Sequence, residues 1–140
     1  MINQINNQDN FKKLAEEWFL KAKDDELSIR GILSDREGAS STVCFLSQQI
    51  AEKFLKGYLV FNGIVFPKIH DLDRLIKICE QVDESFCDIK DQGKELSDFY
   101  VATRYPGDFP HFTWKQAEES FVCAEEIKLF ILEKIKKDNQ

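Results

Sequence analysis

"TVCFLSQQIAEKFLKGYLVFNG", residues 42–63, is the stretch on which the fold turns. Read at 3.6 residues per turn, Val43, Leu46, Ile50, Phe54 and Phe61 fall on one side, with Ala51, Leu55 and Leu59 beside them. What remains polar is a narrow strip of Gln49, Glu52, Lys53 and Lys56. A helix apolar around most of its circumference belongs at the centre of a bundle, because no single face of it can be left in water. Ser41 or Thr42 is its expected cap and Gly63 its stop. Glu52 and Lys56 are four apart in the favourable order, so part of the strip also reads as a solvated ion pair.

Working outward, the flanking segments supply helices to surround it. Residues 9–33 carry Phe11, Leu14, Trp18, Ala22 and Ile29 at helical steps, with Asp9 or Asn10 as cap. "SDREGASS", residues 34–41, closes that helix with Gly38 and small polar residues. After Pro67 a third helix is expected to open near His70 or Asp71, with Leu72, Leu75, Ile76 and Cys79 facing inward. A fourth spans about residues 89–103, with Leu96, Phe99, Tyr100 and Thr103 on its inner side. The fifth opens at Thr113, where Thr113 and Gln116 match a capping box, and continues through Trp114, Ala117, Phe121, Ala124, Lys128 and Ile131. The expected fold is all-α: a single-domain, up-and-down bundle of four to five antiparallel helices over residues 1–140, with its core at about 9–136.

Composition restricts the function. Of 140 residues, 43% are hydrophobic and 31% charged, a globular balance rather than a disordered one. The apolar runs are too short to span a bilayer, and "MINQINNQDN" has no apolar signal region, so a cytoplasmic protein with no membrane partner is expected. Cys44, Cys79, Cys87 and Cys123 lack CxxC spacing and read as buried thiols rather than metal ligands or disulfides. No Gly-rich phosphate loop, metal or cofactor motif is present, and none of these groups is expected. A net charge of −6 confines any nucleic-acid contact to a small local site.

One stretch departs from the helical pattern: "TRYPGDFPHF", residues 103–112. Pro106, Gly107 and Pro110 stand between Arg104 and His111, and so stiff a connection can hold two side chains at a repeatable separation. An arginine fork suits phosphate oxygens, and a histidine moves protons near neutral pH. The pair is a minimal kit for cleaving a phosphodiester without metal. The alternative is structural: a cation beside a helix C-terminus, and a histidine packed near Phe109, Phe112 and Trp114.

Three segments, in order, carry a family resemblance. "CFLSQQIAEKFLKGYL" resembles the Gln-Gln-x-Ala-Glu-Lys-x-x-Lys signature of HEPN domains (higher eukaryotes and prokaryotes nucleotide-binding). "IHDLDRL" is similar to their His-Asp-Leu segment, and Arg104 with His111 looks like their Arg-x(4–6)-His motif. The resemblance covers about residues 11–135.

It implies a bundle that pairs into a homodimer, with Arg104 and His111 of two protomers lining one cleft. It implies an RNA- or nucleotide-interacting module and a candidate metal-independent endoribonuclease of toxin type, paired with a nucleotidyltransferase antitoxin. Non-catalytic nucleotide-binding modules also occur in the family, and a plain helical partner subunit is a further alternative. Tyr105 stands where catalytic members usually carry a small polar residue; it could stack a base or pack in an interface. The resemblance sets Glu52, Lys53 and Lys56 where they could orient Arg104 or touch a ligand. If Glu52 is buried it needs a partner, and Arg104 is the one expected.

Overall fold

The structure, a computed structural model, describes residues 2–102 and 111–139, without the side chains of 2–6, 101 and 102. Among the described residues there are five α-helices: α1 (Ile2–Asp35), α2 (Ser40–Phe61), α3 (Leu72–Val82), α4 (Lys90–Ala102) and α5 (Trp114–Asp138). A 3-10 helix, Glu84–Ile89, joins α3 to α4. No strand occurs among these residues, as expected.

Side-chain pairings give the direction of each helix. Phe11 packs at Gly63, Phe19 at Gly57, and Lys53 bonds Asp25, so α1 and α2 run antiparallel. Lys128 meets Glu26 and Arg36 meets Glu118, which sets α5 antiparallel to α1. Gln92 reaches Glu126 while Cys123 reaches Glu95, so α4 and α5 are antiparallel too.

α2 lies at the centre. Ile50, Ala51, Leu55 and Leu59 have no exposed surface, and the residues from Phe54 to Leu59 are buried without interruption. Each large aliphatic side chain taken wholly from water contributes about 1.5–3 kcal/mol. α2 ends where expected: Gly63 has φ 68°, and the amides of Gly63 and Ile64 return to the carbonyls of Val60 and Leu59.

Several boundaries differ from the sequence reading. α1 begins at Ile2, so Asp9 and Asn10 lie within it and cap nothing. α2 is preceded by Ala39 with no side-chain cap, and Ser41 and Thr42 are inside the helix. Leu14 is 47% exposed, and Ala15 takes the buried position instead. Along α1 the innermost residues are Ala15, Ala22 and Ile29, two of them small, which lets α2 approach closely. Thr113 does cap α5, with both bonds of the capping box to Gln116 formed.

Cys44, Cys79 and Cys123 are buried thiols, whereas Cys87 is exposed. Burial pushes the Cys79 thiol well up, and burial with the hydrogen bond to Glu95 pushes Cys123 up to about 12. Among the described residues, no helix is long and apolar enough to cross a membrane.

Candidate nucleotide-interacting site

The polar strip of α2 is a set of internal clamps. Gln48, Glu52 and Lys56 recur every four residues and so lie along one face of the helix. Gln48 is fully buried and its Nε2 donates to the His70 carbonyl at 3.1 Å, while Gln49 Nε2 donates to Gln48 Oε1 at 2.7 Å. One turn on, Glu52 Oε1 lies 2.9 Å from His70 Nδ1. One turn further, Lys56 Nζ lies 3.3 Å from Glu52 Oε2 and 5.6 Å from the centre of the Trp18 ring. The first two therefore grip the backbone and the ring of a single residue, His70, in the connection that leads into α3.

Burying a carboxylate without a partner is costly, and both oxygens of Glu52 have one. Only about 5% of the Glu52 side chain and 8% of the Lys56 side chain are exposed, so this is not the solvated ion pair that the spacing also allowed. Its partners among the described residues are Lys56 and His70. The expected partner Arg104, like Tyr105, lies outside the described residues. Lys53 points away from this clamp and bonds Asp25 of α1.

His70 does not cap α3. That task falls to Asp71, whose carboxylate accepts from the Arg74 amide. Freed from capping, the His70 ring stacks on Tyr100 of α4, with centroids 4.6 Å apart and planes 19° apart. Phe45 of α2 lies on the same aromatic system, 6.3 Å from Tyr100. Half of the His70 side chain remains exposed. It opens onto a groove of about 540 Å³ lined by Ile69, His70, Asp71, Arg74, Ser97, Asp98 and Tyr100. The groove lies against the last turns of α4, whose described portion ends two residues before Arg104.

His111 re-opens the described chain two residues before the Thr113 cap, and its side chain is exposed. Its neighbour is anchored: the Phe112 carbonyl accepts from Ser40 Oγ, and the Phe112 ring stands edge-on to Phe99 at 4.9 Å. The imidazole is thus exposed beside an anchored residue rather than packed into the core. Among the described residues, no group of three or more His, Cys, Asp or Glu side chains is arranged to hold a metal ion.

Of the residues singled out from sequence, the structure brings Glu52 and Lys56 together and directs Lys53 to a different helix. The residue that sequence reasoning undervalued is His70, which read as a helix-start residue. The visible signal was the pairing of the Gln-Gln-x-Ala-Glu segment with His-Asp-Leu, which are clamp and clamped.

The family model described as HEPN domain matches residues 15–135. The crystal structure of an archaeal HEPN homologue is similar, with 30% sequence identity and a TM-score of 0.69 over 86% of this chain and 97% of that one. None of the curated proteins compared matches the chain. The all-α bundle, the clamp joining two of the expected motifs and these likenesses agree: the chain belongs to the HEPN domain family, which is often nucleotide- or RNA-related.

Proposed function

We propose that this HEPN chain is an RNA- or nucleotide-interacting module whose ligand is held at the His70–Tyr100 groove beside the last turns of α4, with Arg104 and His111, which follow α4 in sequence, as its further contacts. The observation that supports this most is the buried clamp on His70. Gln48 and Glu52 hold the backbone and the ring of one half-exposed residue at the rim of a groove, and Lys56 pairs with the buried Glu52, an arrangement that packing alone does not require. Arg74 lines the same groove and Arg104 follows α4 in sequence, which supplies guanidinium groups for phosphate. The negative net charge fits a small site of this kind rather than a long nucleic-acid track. Titration of a labelled short single-stranded RNA, and of ATP, tests the reading. Saturable binding weakened by Arg104→Ala supports it, and the absence of binding to both probes overturns it.

A second reading, that of a metal-independent endoribonuclease, is favoured by the outward, solvent-exposed His111. His111 takes the proton of a ribose 2′-hydroxyl, whose oxygen attacks the adjacent phosphorus as the bond to the 5′-oxygen breaks. Arg104 offsets charge on the phosphoryl oxygens, and the departing 5′-oxygen is protonated by a second acid. The products are a 2′,3′-cyclic phosphate and a 5′-hydroxyl. In this reading a homodimer brings two histidines to one cleft, as base and acid, and a nucleotidyltransferase-type partner restrains the activity. Cleavage of labelled RNA in EDTA by the wild type and not by His111→Ala supports it. Equal cleavage in both lanes removes it and leaves the binding reading intact.

A further inference from the structure

We infer that the groove between α3 and α4 selects ribose over deoxyribose, and that His70 is the selecting residue, with Glu52 its positioning residue. The inference rests on the proposal above that the chain interacts with RNA or nucleotides.

The argument begins with the hydrogen bond inside the clamp. A carboxylate accepts, so at 2.9 Å from Glu52 Oε1 the His70 Nδ1 is the donor and carries the ring proton. In the neutral ring Nε2 is then an acceptor with a lone pair in the ring plane. Three contacts fix that plane: the Glu52 bond, the stacking on Tyr100, and the Gln48 bond to the His70 carbonyl. A half-exposed ring on a loop would otherwise turn freely. Here the ring is held at the groove it lines, its Nδ1 is spent on Glu52, and Nε2 is the nitrogen left for a ligand, so little ordering is left to be done when one arrives.

The groove's other polar groups define what it takes. Asp71 and Asp98 bring carboxylate acceptors, Ser97 a hydroxyl, and Arg74 a guanidinium. A wall with two carboxylates favours hydroxyl donors over bare phosphate beside them, while the Arg74 guanidinium in the same groove suits an attached phosphate. A ribonucleotide segment offers both, and its 2′-hydroxyl is the donor that a deoxyribonucleotide lacks. A volume of about 540 Å³ lies within the usual span of small-ligand sites. The groove therefore takes the sugar, with the 2′-hydroxyl donating to His70 Nε2.

The test compares a short single-stranded RNA of mixed sequence with the DNA of the same sequence. Binding is measured by fluorescence anisotropy at a pH well above the imidazole range, with ¹⁵N NMR reading the ring tautomer of His70. The expected result is a several-fold to about tenfold preference of the wild type for RNA, the worth of one hydrogen bond. His70→Asn keeps an amide donor for Glu52 but has no atom in the Nε2 position. It is expected to bring RNA and DNA within about twofold, chiefly by weakening RNA. Glu52→Gln can donate to Nδ1 and so move the ring proton to Nε2, which shifts the tautomer signal and reverses the hydrogen bond open to a 2′-hydroxyl, so the size of the RNA preference changes with it; a merely structural Glu52 would leave the tautomer unchanged. Wild-type His70 protonated at Nε2, or an undiminished RNA preference in folded His70→Asn, overturns the inference while the binding proposal stands. Binding of neither probe to the wild type overturns the binding proposal and the inference with it.

Discussion

Phe19 of α1 lies so close over Gly57 of α2 that a Cβ on Gly57 would fall 2.4 Å from the ring. The ring cannot swing aside cheaply, because its other neighbour is Phe54, stacked at 4.9 Å with planes 16° apart. Gly57 is therefore present for clearance, not for backbone conformation. Gly57→Ala is expected to destabilise the protein by about 1–3 kcal/mol through overpacking, despite the better helix propensity of alanine. Urea denaturation checks this, and a variant as stable as the wild type would mean that α1 and α2 sit farther apart than described.

Glu52 predicts a larger effect. Removing it as Glu52→Ala leaves the Lys56 ammonium, 8% exposed, with the Trp18 face but no carboxylate. The expected cost is about 3–5 kcal/mol, that of stranding one member of a buried pair. The double variant Glu52→Leu, Lys56→Met removes both charges and is expected to recover most of that loss. A double-mutant cycle by thermal denaturation measures the coupling.

The fold was legible where chemistry is local. α2 announced itself because almost no other arrangement buries residues 43–61, and the α5 start because Thr113 and Gln116 satisfy each other's backbone. Residues 2–8 were missed because "INQINNQ" has no apolar period, yet nothing in it breaks a helix. The choice of Ala15 over Leu14 was not readable from α1 alone: it depends on how closely α2 approaches, which Gly57 on another helix permits. The 3-10 helix was hidden because its Asp83–Ser85 cap resembles an ordinary turn. At the site, the sequence marked Glu52 and Lys56 and required a partner for any buried carboxylate. It could not show that His70, eighteen residues on, would supply one, since that depends on the path of residues 62–71.

Thr113 offers a test of the local reading. Its hydroxyl accepts from the Gln116 amide at 3.0 Å, and Gln116 Oε1 accepts from the Thr113 amide at 2.9 Å. Thr113→Ala is expected to cost about 1 kcal/mol, the usual worth of an N-cap. Thr113→Ser or Thr113→Asp should retain most of it. A shift in urea midpoint at unchanged slope is the measurement, and an alanine variant equal to the wild type would remove the cap from the account of α5.

Acid stability should depend on Glu26, which ties α1 to α5. Burial alone would raise its pKa, but hydrogen bonds from Lys128, Arg30 and Glu125 outweigh that and lower it from 4.5 to about 2. Lys128 Nζ is 2.8 Å away and an Arg30 guanidinium nitrogen 2.9 Å. A carboxyl whose folded pKa is depressed lends stability that is present above the unfolded value and is lost as pH falls through the folded one. That window runs from 4.5 down to about 2. Glu125 beside it works in the opposite sense, since burial and then the hydrogen bond with Glu26 raise its pKa, so the net slope is smaller than Glu26 alone would give. Glu26→Gln is expected to be less stable than the wild type at neutral pH, to lose stability more gently across the window, and to converge with the wild type toward its acid end. Thermal midpoints of both proteins across that range decide it: parallel curves would mean that the Lys128 and Arg30 bonds to Glu26 contribute nothing net to holding α1 against α5.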